Sequence, residues 1–272
     1  MCNRVTEILI NIFTDTGHSM KIYPLLLTLA LLGIGCQLSQ SQSATAPNPA
    51  APGFNQAASD AQAIAIADEV MEAMGGRPAW DDTRYLRWTF FGQRHLIWDR
   101  AQQRVRIDVP GDSLVYLFDY HDQPSARAYR AGVALTEPDS VLKYTEQARR
   151  IWINDSYWLV MPFKLKDSGV TLRYLGEGQT ELGEACDRIE LTFEQVGVTP
   201  QNKYHIWVDQ AEHLVRQWAY FAEASEDEPR FTLPWLDYQT YGQILLSGDR
   251  GPRDLTDIAA PATLSDDVFT KQ

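Results

Sequence analysis

Between residues 57 and 74 the apolar positions Ile64, Ala67, Val70, Met71 and Met74 recur at helical spacing, and Asp60, Asp68, Glu69 and Glu72 occupy the rest. Ser59 is placed to cap the start of this helix. Gly75-Gly76 is placed to end it, because glycine takes the left-handed conformation that a helix terminus needs. From Tyr85 the period changes to two. Runs at 85–91, 94–99, 104–109, 114–118 and 126–130 are separated by Gly, Pro and Asp, which predicts successive antiparallel strands. Arg104, Arg106 and Asp108 alternate with Val105, Ile107 and Val109, so one face is expected to be wet and the other apolar.

A second helical stretch opens at Pro138, a permitted first-turn residue, and places Val141, Leu142, Ala148, Ile151 and Trp152 in phase. It leads into residues 157–163, an apolar and aromatic segment that Pro162 keeps from being a central strand. Strands resume at 170–175, 186–193, 203–208, 213–221 and 243–247. A further extended run at 230–241 is interrupted by Pro234. The expected fold is α+β and mostly antiparallel β: a single curved sheet, a half-barrel, of about ten or eleven strands wrapped around two helices. A long antiparallel sheet must curl to protect its edges. No second break in composition appears, so residues 57–272 are expected to form one domain.

The N-terminal part reads differently. Lys21 precedes a short apolar run at 25–34 that ends in small residues, which is the grammar of a signal peptide. The run is shorter than the ~20 apolar residues a spanning helix needs. Gly35-Cys36 resembles the lipobox of bacterial lipoproteins. The expectation is a signal peptide over 1–35 with its true start at Met20, a lipidated Cys36, and a flexible tether over 36–56 built of Ser, Gln, Ala, Pro and Gly. Cys186 is then the remaining free thiol, placed by alternation with Arg188 and Glu190 on the polar side of its strand.

Hydrophobic residues make up 44% and charged residues 22% of the 272, which excludes a mostly disordered or multi-span membrane chain. The net charge of -12 repels phosphate backbones, so no nucleic-acid partner is expected.

Several cues together resemble the lipoprotein-carrier (LolA/LolB-like) half-barrel superfamily over residues 57–269. They are Glu72-Ala73-Met74-Gly75-Gly76 followed by Trp80, the run Trp158-Leu159-Val160-Met161-Pro162-Phe163, and the turn after Val208-Asp209 that leads to Leu214-Val215. The resemblance implies a cavity for acyl chains between a concave sheet and a helical lid. With Gln37 following Cys36, it also implies lipid anchoring in the cell envelope at the periplasmic face of the outer membrane.

Eight tryptophans are a heavy load for this length, and aromatic-lined concave sites are the usual way to bind apolar ligands. The candidate binding residues are Trp88, Phe90, Trp152, Trp158, Met161, Phe163, Trp218 and Tyr220. The alternative is that all of them are core. Two polar constellations stand beside them: Asp119 with His121, and His205 with Asp209 and His213. Either could serve as metal ligands or an acid–base pair, but turn chemistry accounts for the aspartates. The sequence holds no phosphate loop, nucleophile elbow, His-Glu-x-x-His or Cys-x-x-Cys.

The expected function is therefore a membrane-tethered cell-envelope lipoprotein that binds an acyl or lipid-like ligand, without catalysis, cofactor or metal. The alternatives are a structural or protein-interaction lipoprotein with a self-filled core, and a hydrolase or metal enzyme on the polar constellations.

Overall fold

The computed structural model describes residues 47–120 and 125–272; Met20, Cys36 and the expected signal segment lie outside the described residues, as does His121. The first amphipathic run folds as α1 (Ala61–Ala73), which turns Ile66, Ala67, Val70 and Met71 inward. Its entry is stitched to a neighbouring strand. Ser59 Oγ accepts a hydrogen bond from the Leu172 N–H at 3.0 Å, and Asp60 Oδ2 accepts one from the Tyr174 N–H at 2.9 Å. Asp60, rather than Ser59, occupies the cap position. Gly75 ends the helix at φ 112°, where an added Cβ would stand 2.4 Å from the Gln243 carbonyl oxygen, so the turn and the close approach both demand glycine. A short helix follows, α2 (Gly76–Asp82), which the apolar pattern does not mark. Its Trp80 stacks on Phe163 at 4.2 Å.

The five expected strands appear as β1 (Tyr85–Phe90), β2 (Arg94–Asp99), β3 (Arg104–Val109), β4 (Leu114–Asp119) and β5 (Ser125–Arg130), and a short β6 (Val133–Leu135) extends them. Two inward rows cross this sheet. Leu86, Trp98, Val105, Phe118 and Ala126 form one, and Trp88, Leu96, Ile107, Tyr116 and Ala128 the other. Both rows end in alanine on β5. The long helix α3 (Pro138–Val160) packs there and buries its own Ala148 completely. This helix continues through Tyr157 and Trp158, and Pro162 falls in the single 3-10 turn beyond its end.

The remaining strands are β7 (Val170–Gln179), β8 (Ala185–Phe193), β9 (Lys203–Asp209), β10 (Val215–Phe221), β11 (Phe231–Pro234), β12 (Leu236–Tyr241), β13 (Ile244–Asp249) and β14 (Leu255–Ala259). The α+β, antiparallel character holds, but the single sheet of ten or eleven strands does not. Fourteen short strands form a seven-stranded sheet (β14-β1-β2-β3-β4-β5-β6), a five-stranded sheet (β11-β10-β9-β8-β7) and the β12-β13 hairpin among the described residues. The ladder breaks for local reasons. Pro234 has no N–H to offer and ends β11. Asp237 and Asp257 sit at φ 56° and 54°, and the β1-β14 register shifts between Arg87 and Thr89.

Three further expectations are corrected. The tether does not extend to residue 56. The Ala51 N–H donates to the Lys166 carbonyl at 2.9 Å, the Asn55 N–H donates to Val170 O at 3.0 Å, and Asn48 is buried with its amide donating to Asp68 at 2.8 Å. Backbone contacts of this kind leave no apolar signature in the sequence. The polar face of β3 is not simply wet. The C-terminal turn α4 (Asp267–Thr270) lies across it, with Phe269 buried beneath Arg104. Arg106 donates to the Lys271 carbonyl at 2.9 Å and Arg127 to the Phe269 carbonyl at 3.1 Å. Cys186, finally, is fully buried. It pairs with Gly178 on one side and Asp209 on the other, and burial pushes its thiol up to about 12.

Candidate functional site

Helix α3 meets both larger sheets through different aromatic side chains. Towards the seven-stranded sheet, Trp152 stacks on Tyr120 at 4.1 Å and meets Trp98 edge-on at 5.7 Å. Towards the five-stranded sheet, Tyr157 lies 5.4 Å from Tyr204 and 6.3 Å from Phe193. Between these contacts, Asp155 is fully buried and held by Arg94 at 2.7 and 3.0 Å, which fixes the helix to β2. The helix is therefore pinned in its C-terminal third and flanked by space.

That space consists of two adjoining clefts. One of about 490 Å³ is lined by Trp98, Tyr120, Trp152, Tyr157, Phe193 and Tyr204, among others. The second, of about 330 Å³, is lined by Tyr157, Trp158, Tyr204, Trp218, Tyr220 and Phe231, among others. Ile153, Tyr157, Thr199, Asn202 and Tyr204 belong to both. Residues 196–202, in the connection between β8 and β9, supply the rim. A single small ligand typically occupies roughly 300–1,000 Å³, and both clefts fall within that range. Three aromatic residues of the second come from one register row, in which Leu191, Tyr204, Tyr220 and Phe231 pair across β8 to β11. A third hollow of about 710 Å³ lies at the β1-β2 turn, with Phe91, Gln93, Asn154, Arg253 and Asp254 among its lining.

The eight candidate residues divide. Trp152 lines the first cleft, Trp158, Trp218 and Tyr220 the second, and Phe90 with Trp158 the third hollow. Trp88, Met161 and Phe163 line none of these three hollows; all three are buried core, with Phe163 under Trp80. Trp98, Tyr120, Tyr157, Phe193 and Tyr204 complete the aromatic wall of the first cleft and lie outside the candidate set. Tyr204 carried a usable signal, since it shares a strand face with Ile206. Tyr157 did not: its role depends on α3 running unbroken past residue 156.

The walls are electrically quiet. Burial raises the Tyr157 and Tyr204 phenols well above their ordinary value, so both stay protonated at neutral pH. The Tyr157 hydroxyl and the Trp152 and Trp218 indole nitrogens are buried with no hydrogen-bond partner among the described residues. Charge gathers at the edges instead. Arg149 and Arg150 are exposed on α3, and Lys164 pairs with Asp167 beside the first cleft.

Behind the clefts lies a buried cation. Arg250 has no exposed surface, stacks 3.5 Å over the Trp235 ring, and donates to the Trp158 carbonyl at 2.9 Å and to Ser247 Oγ at 2.8 Å. Burial pulls its guanidinium down to about 9. Its bond to Trp158 satisfies one of the carbonyls that the end of α3 leaves open.

His205, Asp209 and His213 do not assemble into one site. His205 hydrogen-bonds Glu190 at 3.1 Å and is held below its ordinary value by burial. Asp209 closes its own turn by accepting from the Ala211 and Glu212 N–H groups at 2.9 and 2.6 Å. His213 faces Glu69 at 3.4 Å. No group of three or more His, Cys, Asp or Glu side chains is arranged for a metal among the described residues. Asp119 closes β4, and its partner in the pair, His121, is not described. No described helix is long and apolar enough to cross a membrane.

No protein-family model matches the chain, and no curated protein matches it in sequence. Solved structures do. A DUF1329 family protein from Desulfovibrio piger is 13% identical with a TM-score of 0.42, covering 76% of this chain and 96% of that one. A putative outer membrane lipoprotein-sorting protein domain from Vibrio parahaemolyticus is 11% identical with a TM-score of 0.42, covering 77% and 97%. A LolA superfamily protein from Nitrosomonas europaea is 12% identical with a TM-score of 0.38, again covering 77% and 97%.

Proposed function

We propose that this protein is a cell-envelope lipoprotein that binds an acyl or lipid-like ligand, without catalysing a reaction, in the clefts that flank α3. The observation that carries the proposal is the cleft of about 490 Å³ whose walls are Trp98, Tyr120, Trp152, Tyr157, Phe193 and Tyr204. Aromatic walls with protonated phenols offer dispersion and burial but no fixed charge, which suits a hydrocarbon chain. Each buried methylene contributes about 0.8 kcal/mol, so a chain of moderate length supplies micromolar affinity even after ordering costs. The apolar run ending at Cys36 supports the envelope location and the anchor. Titration of delipidated protein with hexadecanol, an uncharged acyl probe, is expected to shift tryptophan emission saturably with one probe per chain. Trp152→Ala is expected to weaken that response severalfold. Absence of saturable binding to any chain length refutes the proposal.

A second reading has its own observation. Trp88, Trp218, Trp235, Tyr116 and Phe118 are almost fully buried, so much of the interior is filled by the protein itself. A structural or interaction lipoprotein would need no more than that. The same titration separates the two, because a self-filled core gives a flat trace.

A further inference from the structure

We propose that the ligand of the α3 clefts is an anionic amphiphile, whose negative head sits at Arg149 and Arg150 and whose hydrocarbon tail runs along the helix toward Tyr157 and Trp158. This rests on the reading of the clefts as an apolar binding site. The helix itself lays out the arrangement. Arg149, Trp152, Ile153, Ser156 and Tyr157 line the first cleft, and Arg150, Ile153, Asn154, Tyr157 and Trp158 line the second. Each set follows the spacing i, i+3, i+4, i+7, i+8, which is one helical face. Each face begins with an arginine and ends in an aromatic residue two turns on, and eight residues of helix rise about 12 Å. A cationic end and an apolar end at that separation form an amphipathic complement.

The arginines are free to take a ligand. Both are exposed, and neither makes an ion pair or hydrogen bond with another described residue. Arg94, Arg104 and Arg106, by contrast, are engaged with Asp155, Asp99 and Asp108. The carboxylate nearest the first cleft, Asp167, is held by Lys164. In a chain of net charge -12, two unpaired guanidiniums beside an apolar hollow give a local field opposite to the general one. A guanidinium fork accepts carboxylate or phosphate oxygens in two parallel hydrogen bonds, so a fatty acid and a phospholipid with one chain share the required chemistry.

Isothermal titration of the delipidated protein with four probes of equal chain length tests the proposal. They are hexadecanoate, palmitoyl lysophosphatidylglycerol, uncharged hexadecanol and cationic hexadecyltrimethylammonium. Two exposed charge pairs predict that at least one anionic probe binds roughly five- to tenfold tighter than hexadecanol, with the cation weakest. The tighter of the two anions identifies the source of the head group. The doubly substituted Arg149→Gln/Arg150→Gln protein is expected to lose that preference while keeping its hexadecanol affinity, and both positions are exposed enough for the fold to tolerate the change. Equal affinity for charged and uncharged probes, or a preference that survives the double substitution, overturns the head-group assignment and leaves the apolar site standing. Failure of all four probes to bind overturns the apolar site and this assignment together.

Discussion

Replacing Arg94 by alanine should destabilise the protein more than replacing its partner Asp155 by asparagine, although both changes break the same ion pair. Asp155 is fully buried, whereas the Arg94 side chain keeps 20% of its surface in water. Removal of Arg94 leaves a buried carboxylate with one remaining side-chain donor, the Asn154 amide at 2.9 Å. An uncompensated buried charge costs about 3–5 kcal/mol. Asp155→Asn removes the charge and keeps an acceptor for the guanidinium, which reaches solvent, so its cost should be about 1–2 kcal/mol. Burial already raises the Asp155 carboxyl above its usual 3.8 despite Arg94, and loss of the arginine must raise it further. A carboxyl raised in the folded state weakens the fold while it is ionised, and that penalty is relieved as pH falls from the folded value toward the unfolded one. Arg94→Ala should therefore lose its deficit partly on mild acidification, whereas Arg94→Ala/Asp155→Asn should not. Urea unfolding at pH 7 and pH 5 measures both effects. Equal losses in the two single variants, or a deficit in Arg94→Ala that grows on acidification, would refute the reasoning.

Other substitutions probe separate parts of the account. Tyr157→Phe removes a buried hydroxyl that has no partner among the described residues, and should raise the stability of the ligand-free protein by up to about 1 kcal/mol, read as an upward shift of the thermal midpoint. Gly75→Ala must force a Cβ against the Gln243 carbonyl at positive φ, and should cost more than about 1 kcal/mol in denaturant. Arg250→Met leaves the Trp158 carbonyl without its donor at 2.9 Å, and faster hydrogen exchange at the end of α3 is the expected result.

The sequence was most legible where one physical signal dominated. β1 to β5 followed from alternation bounded by glycine, proline and aspartate, and the end of α1 from Gly75-Gly76. Sheet continuity was not legible, because Pro234 ends β11 and the positive φ of Asp237 and Asp257 makes their strands irregular, features that side-chain patterning does not encode. The packing of residues 47–56 was hidden for the same reason. At the candidate site, aromatic identity alone could not separate Trp152, on a cleft wall, from Trp88, in the core. Both sit at inward positions, and only the placement of α3 across the sheets decides which one faces space. Tyr157 entered the site because Pro162 falls beyond the helix end rather than inside a broken segment.

The most direct test of the central claim is where an acyl chain attaches when it is made photoreactive. Hexadecanoate carrying a diazirine near its middle, bound to the delipidated protein and irradiated, should label the tryptic peptides spanning residues 151–164 and 189–203, which hold Tyr157, Phe193 and the cleft rim. Excess unlabelled probe should abolish that labelling. Attachment spread over outer-face peptides, or labelling that competitor does not reduce, would contradict the account.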